Sequence, residues 1–104
     1  MKTDLFNYAV RQATPDDIPS LTTIEQACWT DLLQVSENDI LKRITTYPEG
    51  QCVMILNDQC IGVIYSIRIH HTKIIYGHNV KNIVNCHSPD GPIVLLISIN
   101  VCIT

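Results

Sequence analysis

The sequence predicts an α+β domain: an antiparallel sheet of about four strands, in the order one-two-three-four, with two N-terminal helices packed on one face. Three observations carry this. Strand-type apolar runs stand at both ends of the chain and in its middle, while the stretch between the first and second runs carries helical spacing. The two middle runs are separated only by Asn57-Asp58, too short a link for anything but an antiparallel hairpin. The length of 104 residues suits one compact domain, 1–104, with little room for a second.

Phe6 to Ala13 reads as the first strand, since Phe6, Tyr8 and Val10 alternate with Asn7, Ala9 and Arg11. Thr14-Pro15-Asp16-Asp17 then opens a helix. Thr14 is a good N-cap, Pro15 sits where a missing N–H does no harm, and the two acids suit the positive helix end. The helix runs to about Trp29, and Ile18, Leu21, Ile24 and Cys28 form one buried stripe. Asp16, Asp17 and Asp39 are therefore helix-start acids rather than catalytic carboxylates. Ser36-Glu37-Asn38-Asp39 resembles a capping box with Asp in place of Glu. Ile40, Leu41 and Ile44 give that second helix its apolar face, and Pro48 ends it.

Gln51 to Leu56 and Gln59 to Ile69 form the hairpin. Asn57 and Asp58 both tolerate the left-handed backbone that its turn needs. On the returning strand Ile61, Val63, Tyr65, Ile67 and Ile69 make an unbroken apolar face. Residues 70–91 are polar and irregular, with a short strand expected at Lys73–Tyr76 and a turn cluster at Ser88-Pro89-Asp90-Gly91-Pro92. Pro92 to Ile103 is the most apolar strand. Ile93, Leu95, Ile97, Ile99, Val101 and Ile103 occupy one face, and Val94 and Leu96 begin the other. Such a strand belongs in the middle of a sheet, yet it comes at the end of this sequence.

Composition excludes several functions. With 46% hydrophobic and 16% charged residues the chain is not intrinsically disordered. A formal net charge of −3 argues against nucleic acid as a partner, because phosphate binding needs a clustered positive field. No apolar run reaches the roughly 18 residues that would span a bilayer. Met1-Lys2-Thr3-Asp4 lacks a signal-peptide pattern, so the expected compartment is the cytoplasm and no membrane partner is expected. Five cysteines, Cys28, Cys52, Cys60, Cys86 and Cys102, are an odd number with no close pair. They read as reduced and mostly buried thiols rather than as disulfides or zinc ligands.

The order strand, two helices, hairpin, long loop, strand resembles the first half of the GNAT acyltransferase superfamily. Tyr8-Ala9-Val10-Arg11-Gln12-Ala13-Thr14-Pro15-Asp16-Asp17-Ile18-Pro19 is similar to the family's opening I-R-x-A-x-x-x-D passage. Pro48-Glu49-Gly50, and later Cys60-Ile61-Gly62-Val63-Ile64-Tyr65-Ser66, resemble its second and third strands. Ile97-Ser98-Ile99-Asn100-Val101 resembles the end of its fourth. Within the superfamily, the passage around Trp29 and the histidine-rich loop resemble the GNAT-like loading domains of polyketide synthases.

The resemblance implies acyl transfer from acetyl-CoA to an amine or thiol in the intact family. It also implies a pyrophosphate loop, R/Q-x-x-G-x-G/A, opening a helix after the fourth strand. The four glycines here, Gly50, Gly62, Gly77 and Gly91, are too far apart to form it. The expectation is a truncated GNAT-like domain lacking the coenzyme A-binding half, inactive alone and binding no cofactor by itself, with no catalytic residue to name. The alternative is a non-catalytic interaction module that binds a partner through the exposed sheet edge.

By the same resemblance, Trp29 and Tyr65 border the acceptor pocket as substrate-binding residues. Ile99, Asn100 and Val101 line the acyl–pantetheine tunnel as cofactor-binding residues. His70, His71, His78 and His87 with Cys86 have no standard metal-ligand spacing and read as a solvated loop, so no metal is expected. No Asp or Glu occurs from Gln59 to Pro89, where Arg68, Lys73, Lys81 and all four histidines fall. This mildly basic loop suits an anion, such as a phosphopantetheine arm or an acidic acyl carrier protein. A second copy of the chain, or the rest of the fold, is expected against the bare edge of the last strand and the face bearing Met54, Ile64, Val94 and Leu96.

Overall fold

The computed structural model describes residues 7–102. Strand β1 (Tyr8–Gln12) leads through a 3-10 turn at Pro15–Asp17 into helix α1 (Ile18–Cys28), and helix α2 follows (Glu37–Thr46). Strands β2 (Cys52–Leu56) and β3 (Gln59–Ile69) form the expected hairpin, and β4 (Ile93–Val101) ends the sheet. All neighbours are antiparallel in the order β1-β2-β3-β4, the α+β architecture that the sequence predicts. Phe6 and Ile103, assigned to the outer strands from sequence, lie outside the described residues.

Local signals act as read. Ser36 accepts a hydrogen bond from the Asp39 N–H at 3.1 Å while the Asp39 carboxylate accepts from the Ser36 N–H, a complete capping box. Asn57 and Asp58 both adopt positive φ, 50° and 66°, and close the hairpin. Asp17 accepts two hydrogen bonds from the Arg11 guanidinium, both at 2.8 Å, and one from the Thr14 N–H. The Arg11 bond holds the Asp17 carboxyl below its ordinary range. Asp17 thus ties β1 to the helix start, a structural role.

The core lies between the sheet and the helices. Leu21, Ile40 and Ile44 pack with Val35 on Val53, Val63 and Tyr65. A second cluster at the far end of the sheet joins Ile67 and Ile69 to Ile83 and Val84. Ile97 packs against both clusters. All five odd residues from Ile61 to Ile69 are buried, as their alternation predicts.

Four local expectations are corrected. Lys73–Tyr76 is not a strand: Thr72–Ile75 forms a 3-10 turn, and a second turn at Ile83–Cys86 supplies the second cluster. Those residues alternate in neither period, so nothing in the sequence marks the turns. Leu41 faces outward, and Arg43 takes its place in the buried face of α2. The five thiols are free but half-buried rather than buried. The single apolar face of β4 is broken by a bulge. Tyr65 pairs with Ser98 but Ser66 pairs with Leu96, so Ile97 is an extra residue.

The bulge sets which side chains face the helices. Before it, Ile93, Leu95 and Ile97 pack inward. After it, Ser98 and Asn100 turn inward, while Ile99 and Val101 turn to the opposite face and are 56% and 54% exposed. There they join Val10, Met54, Ile64, Val94 and Leu96 on an open apolar face. No helix among the described residues is long and apolar enough to cross a membrane.

The loop after β3 is held by His87. Its Nδ1 accepts the Arg68 N–H at 3.0 Å, and its ring stacks on Tyr47 with centroids 4.6 Å apart. Burial lowers the His87 pKa below 6.5, with Arg68 adding to this and Glu49 opposing it. A group whose folded pKa is depressed stabilises the fold above its unfolded value and loses that contribution as pH falls through the folded value. Thermal melts from pH 8 to pH 5 should therefore show Tm falling below about pH 6.5, and His87→Ala should flatten that part of the profile. A second test concerns the open face. Leu96→Lys should raise solubility and leave Tm within a few degrees, whereas Ile67→Ala should cost about 2–5 kcal/mol in urea unfolding.

Candidate functional site

A cleft of about 180 Å³ lies where the end of α1, the segment after it, α2 and the bulged part of β4 meet. Its apolar wall includes Trp29, Leu33, Val35, Ile97 and Ile99, and Glu25, Arg43 and Ser98 supply its polar groups. It is smaller than the roughly 300–1,000 Å³ of drug-sized pockets, so it suits a group of a few carbons.

Trp29 follows the last turn of α1, where its own N–H still donates to Glu25 O at 3.0 Å. Its indole Nε1 donates to Asn100 Oδ1 at 2.9 Å, across the gap from helix to sheet. That oxygen also accepts the Ser98 hydroxyl at 2.8 Å, and Asn100 Nδ2 donates to Glu25 Oε1 at 3.2 Å. The other Glu25 oxygen accepts the Val35 N–H at 3.0 Å. Glu25 and Asn100 are 3% and 2% exposed, so this chain of bonds is shielded from water. It fixes the indole plane against the cleft.

Arg43 is the other buried charged residue that lines the cleft. Its guanidinium carbon lies 4.6 Å from the centroid of the Tyr65 ring, a cation–π contact, and one nitrogen donates to Val80 O at 2.6 Å. Burial lowers the Arg43 pKa, and the nearby Tyr65, Glu25 and Asp39 oppose that. Tyr65 is fully buried beneath it. Burial pushes the Tyr65 phenol well above its ordinary value, with Arg43 opposing, and its hydroxyl is buried without a hydrogen-bond partner.

The structure thus separates the two residues expected at the acceptor pocket: Trp29 is in the wall, and Tyr65 lies a layer behind it. Of the three β4 residues expected along the tunnel, Ile99 borders the cleft while also lining the open face beside Val10 and Met54. Asn100 turns its side chain to Trp29, and Val101 faces the open side of the sheet. The Cys102 N–H donates to Ile61 O at 2.8 Å. By antiparallel alternation, Ile99 and Val101 then turn their N–H and C=O groups to the outer edge of β4. Cys28 Sγ reaches Val101 O there at 3.6 Å.

Sequence reading missed Glu25 and Arg43. Glu25 is the one acid at the C-terminal end of α1, one turn before Trp29, where it opposes the helix dipole; that misplacement was a usable signal. Arg43 carries no such mark, because an arginine in the last turn of a helix normally faces water. The histidines do not converge. Among the described residues no group of three or more His, Cys, Asp or Glu side chains is placed to hold a metal.

Asn100→Ala should release the indole N–H and shift Trp29 emission to longer wavelength; Trp29 is the single tryptophan, so the reading is unambiguous. The same change should cost about 1–3 kcal/mol, because it leaves a buried partner unsatisfied. An unchanged spectrum would mean that the indole is not fixed by this bond.

No protein-family model matches the sequence, and no curated protein matches it. Nine chains among the solved structures do, among them the following two. The loading GNATL domain of CurA from Lyngbya majuscula is 30% identical with a TM-score of 0.85, covering 91% of this chain and 48% of that one. The GphF GNAT-like decarboxylase in complex with isobutyryl-CoA is 30% identical with a TM-score of 0.84, covering 90% of this chain and 48% of that one. The chain spans about half the length of each. Its fold is GNAT-like, as the order of its elements and the passage around Trp29 imply.

Proposed function

We propose that this chain is the N-terminal part of a GNAT-family acyl-CoA-handling domain and that it holds the acyl-thioester end of the substrate. The single observation that carries this is the cleft beside the bulge: a small apolar pocket walled by a fixed indole, opening beside an edge of β4 that pairs with no other strand among the described residues. An acyl group of a few carbons fits the cleft. The amides of a pantetheine arm match the outward N–H and C=O of Ile99 and the N–H of Val101, the way a strand adds to a sheet edge. The solved relative with isobutyryl-CoA supports the ligand class.

The residues fit only one end of coenzyme A. Nothing in this sequence supplies a glycine-rich loop at a helix start for the pyrophosphate. Acyl transfer in the intact fold, to an amine or thiol, would draw that site from elsewhere, and this chain alone turns over neither acetyl-CoA nor isobutyryl-CoA. The rest of the fold, or a second copy, covers the open apolar face. The acid-free stretch from Gln59 to Pro89 offers an acyl carrier protein a basic approach. Five free thiols suit a reducing compartment such as the cytoplasm.

A second reading has its own support: the outer edge of β4, which pairs with no strand among the described residues, and the open face of Val10, Met54, Ile64 and Leu96 would serve a non-catalytic module that binds a partner protein.

Titration of Trp29 fluorescence with isobutyryl-pantetheine, beside calorimetry with isobutyryl-CoA, tests the first reading. A saturable shift that Trp29→Phe abolishes, with no release of free coenzyme A, is expected. No shift at millimolar ligand overturns it and leaves the interaction module. Measurable turnover by the chain alone would overturn its inactivity.

A further inference from the structure

The acid-free loop after β3 brings one thiol against a nitrogen base. Cys86 Sγ lies 3.2 Å from His78 Nε2. The other ring nitrogen, His78 Nδ1, is 2.7 Å from Ile74 O. A carbonyl only accepts, so Nδ1 carries the proton and Nε2 presents its lone pair to the thiol. This is the arrangement of an activated nucleophile: a thiol, a base within hydrogen-bond reach, and a third group that orients the base.

The other four thiols lack it. Cys28 and Cys60 reach carbonyl oxygens of Val101 and Gly62, which keep the proton on sulfur, and burial raises the Cys60 pKa further. Cys52 and Cys102 have no hydrogen-bonded nitrogen among the described residues. His78 also walls a second cleft of about 200 Å³, whose apolar side includes Ile75, Ile83, Leu95 and Ile97. Val80 and Ile97 line both this cleft and the one beside Trp29. The two are neighbours across the bulge.

We infer that Cys86, with His78 as its base, is an acyl-acceptor site that takes a short apolar acyl group from a thioester. Cys86 Sγ attacks the thioester carbonyl as His78 Nε2 takes the thiol proton. The carbon–sulfur bond to the donor breaks, a new thioester forms on Cys86, and His78 returns the proton to the departing thiolate. No oxidant or further reactant is needed. The apolar cleft beside His78 receives the acyl chain. The ligand class rests on the reading of the Trp29 cleft as an acyl-thioester site, but the chemistry of the pair does not.

The test uses the full chain with isobutyryl-N-acetylcysteamine, a thioester with no nucleotide, and peptide-level mass spectrometry. One isobutyryl adduct, labile to neutral hydroxylamine and at least tenfold faster on Cys86 than on any other cysteine, is expected. His78→Gln should slow Cys86 to the rate of the others while leaving the melting curve in place. Should that variant fail to fold, the wild-type selectivity among the five cysteines decides alone. Equal labelling of the five, no labelling, or an unslowed, folded His78→Gln variant overturns the assignment. Selective labelling without any Trp29 shift would keep this site and reject the Trp29 cleft as the acyl site. The reverse result would do the opposite.

Discussion

The extra residue in β4 is the constraint on which the rest of the structure depends. Without it, Ile99 and Val101 would continue the inward face begun by Ile93 and Leu95, and Asn100 would point to the open side. The slip exchanges two apolar side chains for Ser98 and Asn100 beneath α1. That exchange is stable only because polar partners are waiting. Asn100 meets the Trp29 indole, the Ser98 hydroxyl and the Glu25 carboxylate, and the spare Glu25 oxygen takes the Val35 N–H. A buried carboxylate with two hydrogen bonds is tolerable, whereas one with none would cost several kcal/mol.

The same slip creates the cleft. A strand that kept its pairing would press its side chains against α1 and α2 along its full length. Here Ile97 is followed by an inward serine, and the space above Ser98 is bounded by the indole and Arg43. Polar network and apolar pocket are therefore one feature seen from two sides. The cost appears on the far face of the sheet, where Ile99 and Val101 enlarge an apolar surface already formed by Val10, Met54 and Ile64.

Most of the architecture was legible because its signals are local. The Asn57-Asp58 turn, the Ser36–Asp39 box, the Thr14-Pro15 helix start and the odd-residue face of β3 each need only a few neighbouring residues to be read. What was not legible depends on distant partners. A bulge in an apolar strand leaves no trace in an alternation that both registers satisfy until Ser98. The inward turn of Arg43 depends on the Tyr65 ring and the Val80 carbonyl, which are far away in sequence. The Cys86–His78 pair depends on two 3-10 turns that no periodicity announces. The resemblance drew attention to the Trp29 passage, but the Glu25–Asn100 hydrogen bonds that hold the indole emerged only from the geometry.

Ile97 has one more consequence. It packs against both core clusters, and it sits at the point where the ladder is interrupted. One cluster is built from helices; the other is a sheet end capped by short turns. Interruptions of this kind divide a small protein into cooperative units of unequal strength. The turns around Ile83 would open more readily than the helical unit, held to it chiefly by the Arg43–Val80 bond and the Tyr47–His87 stack. Amide hydrogens of Ile69 and Ile93 would then exchange along a shallower path than those of Val53 and Val63. The domain would breathe at one end and keep the indole in place at the other.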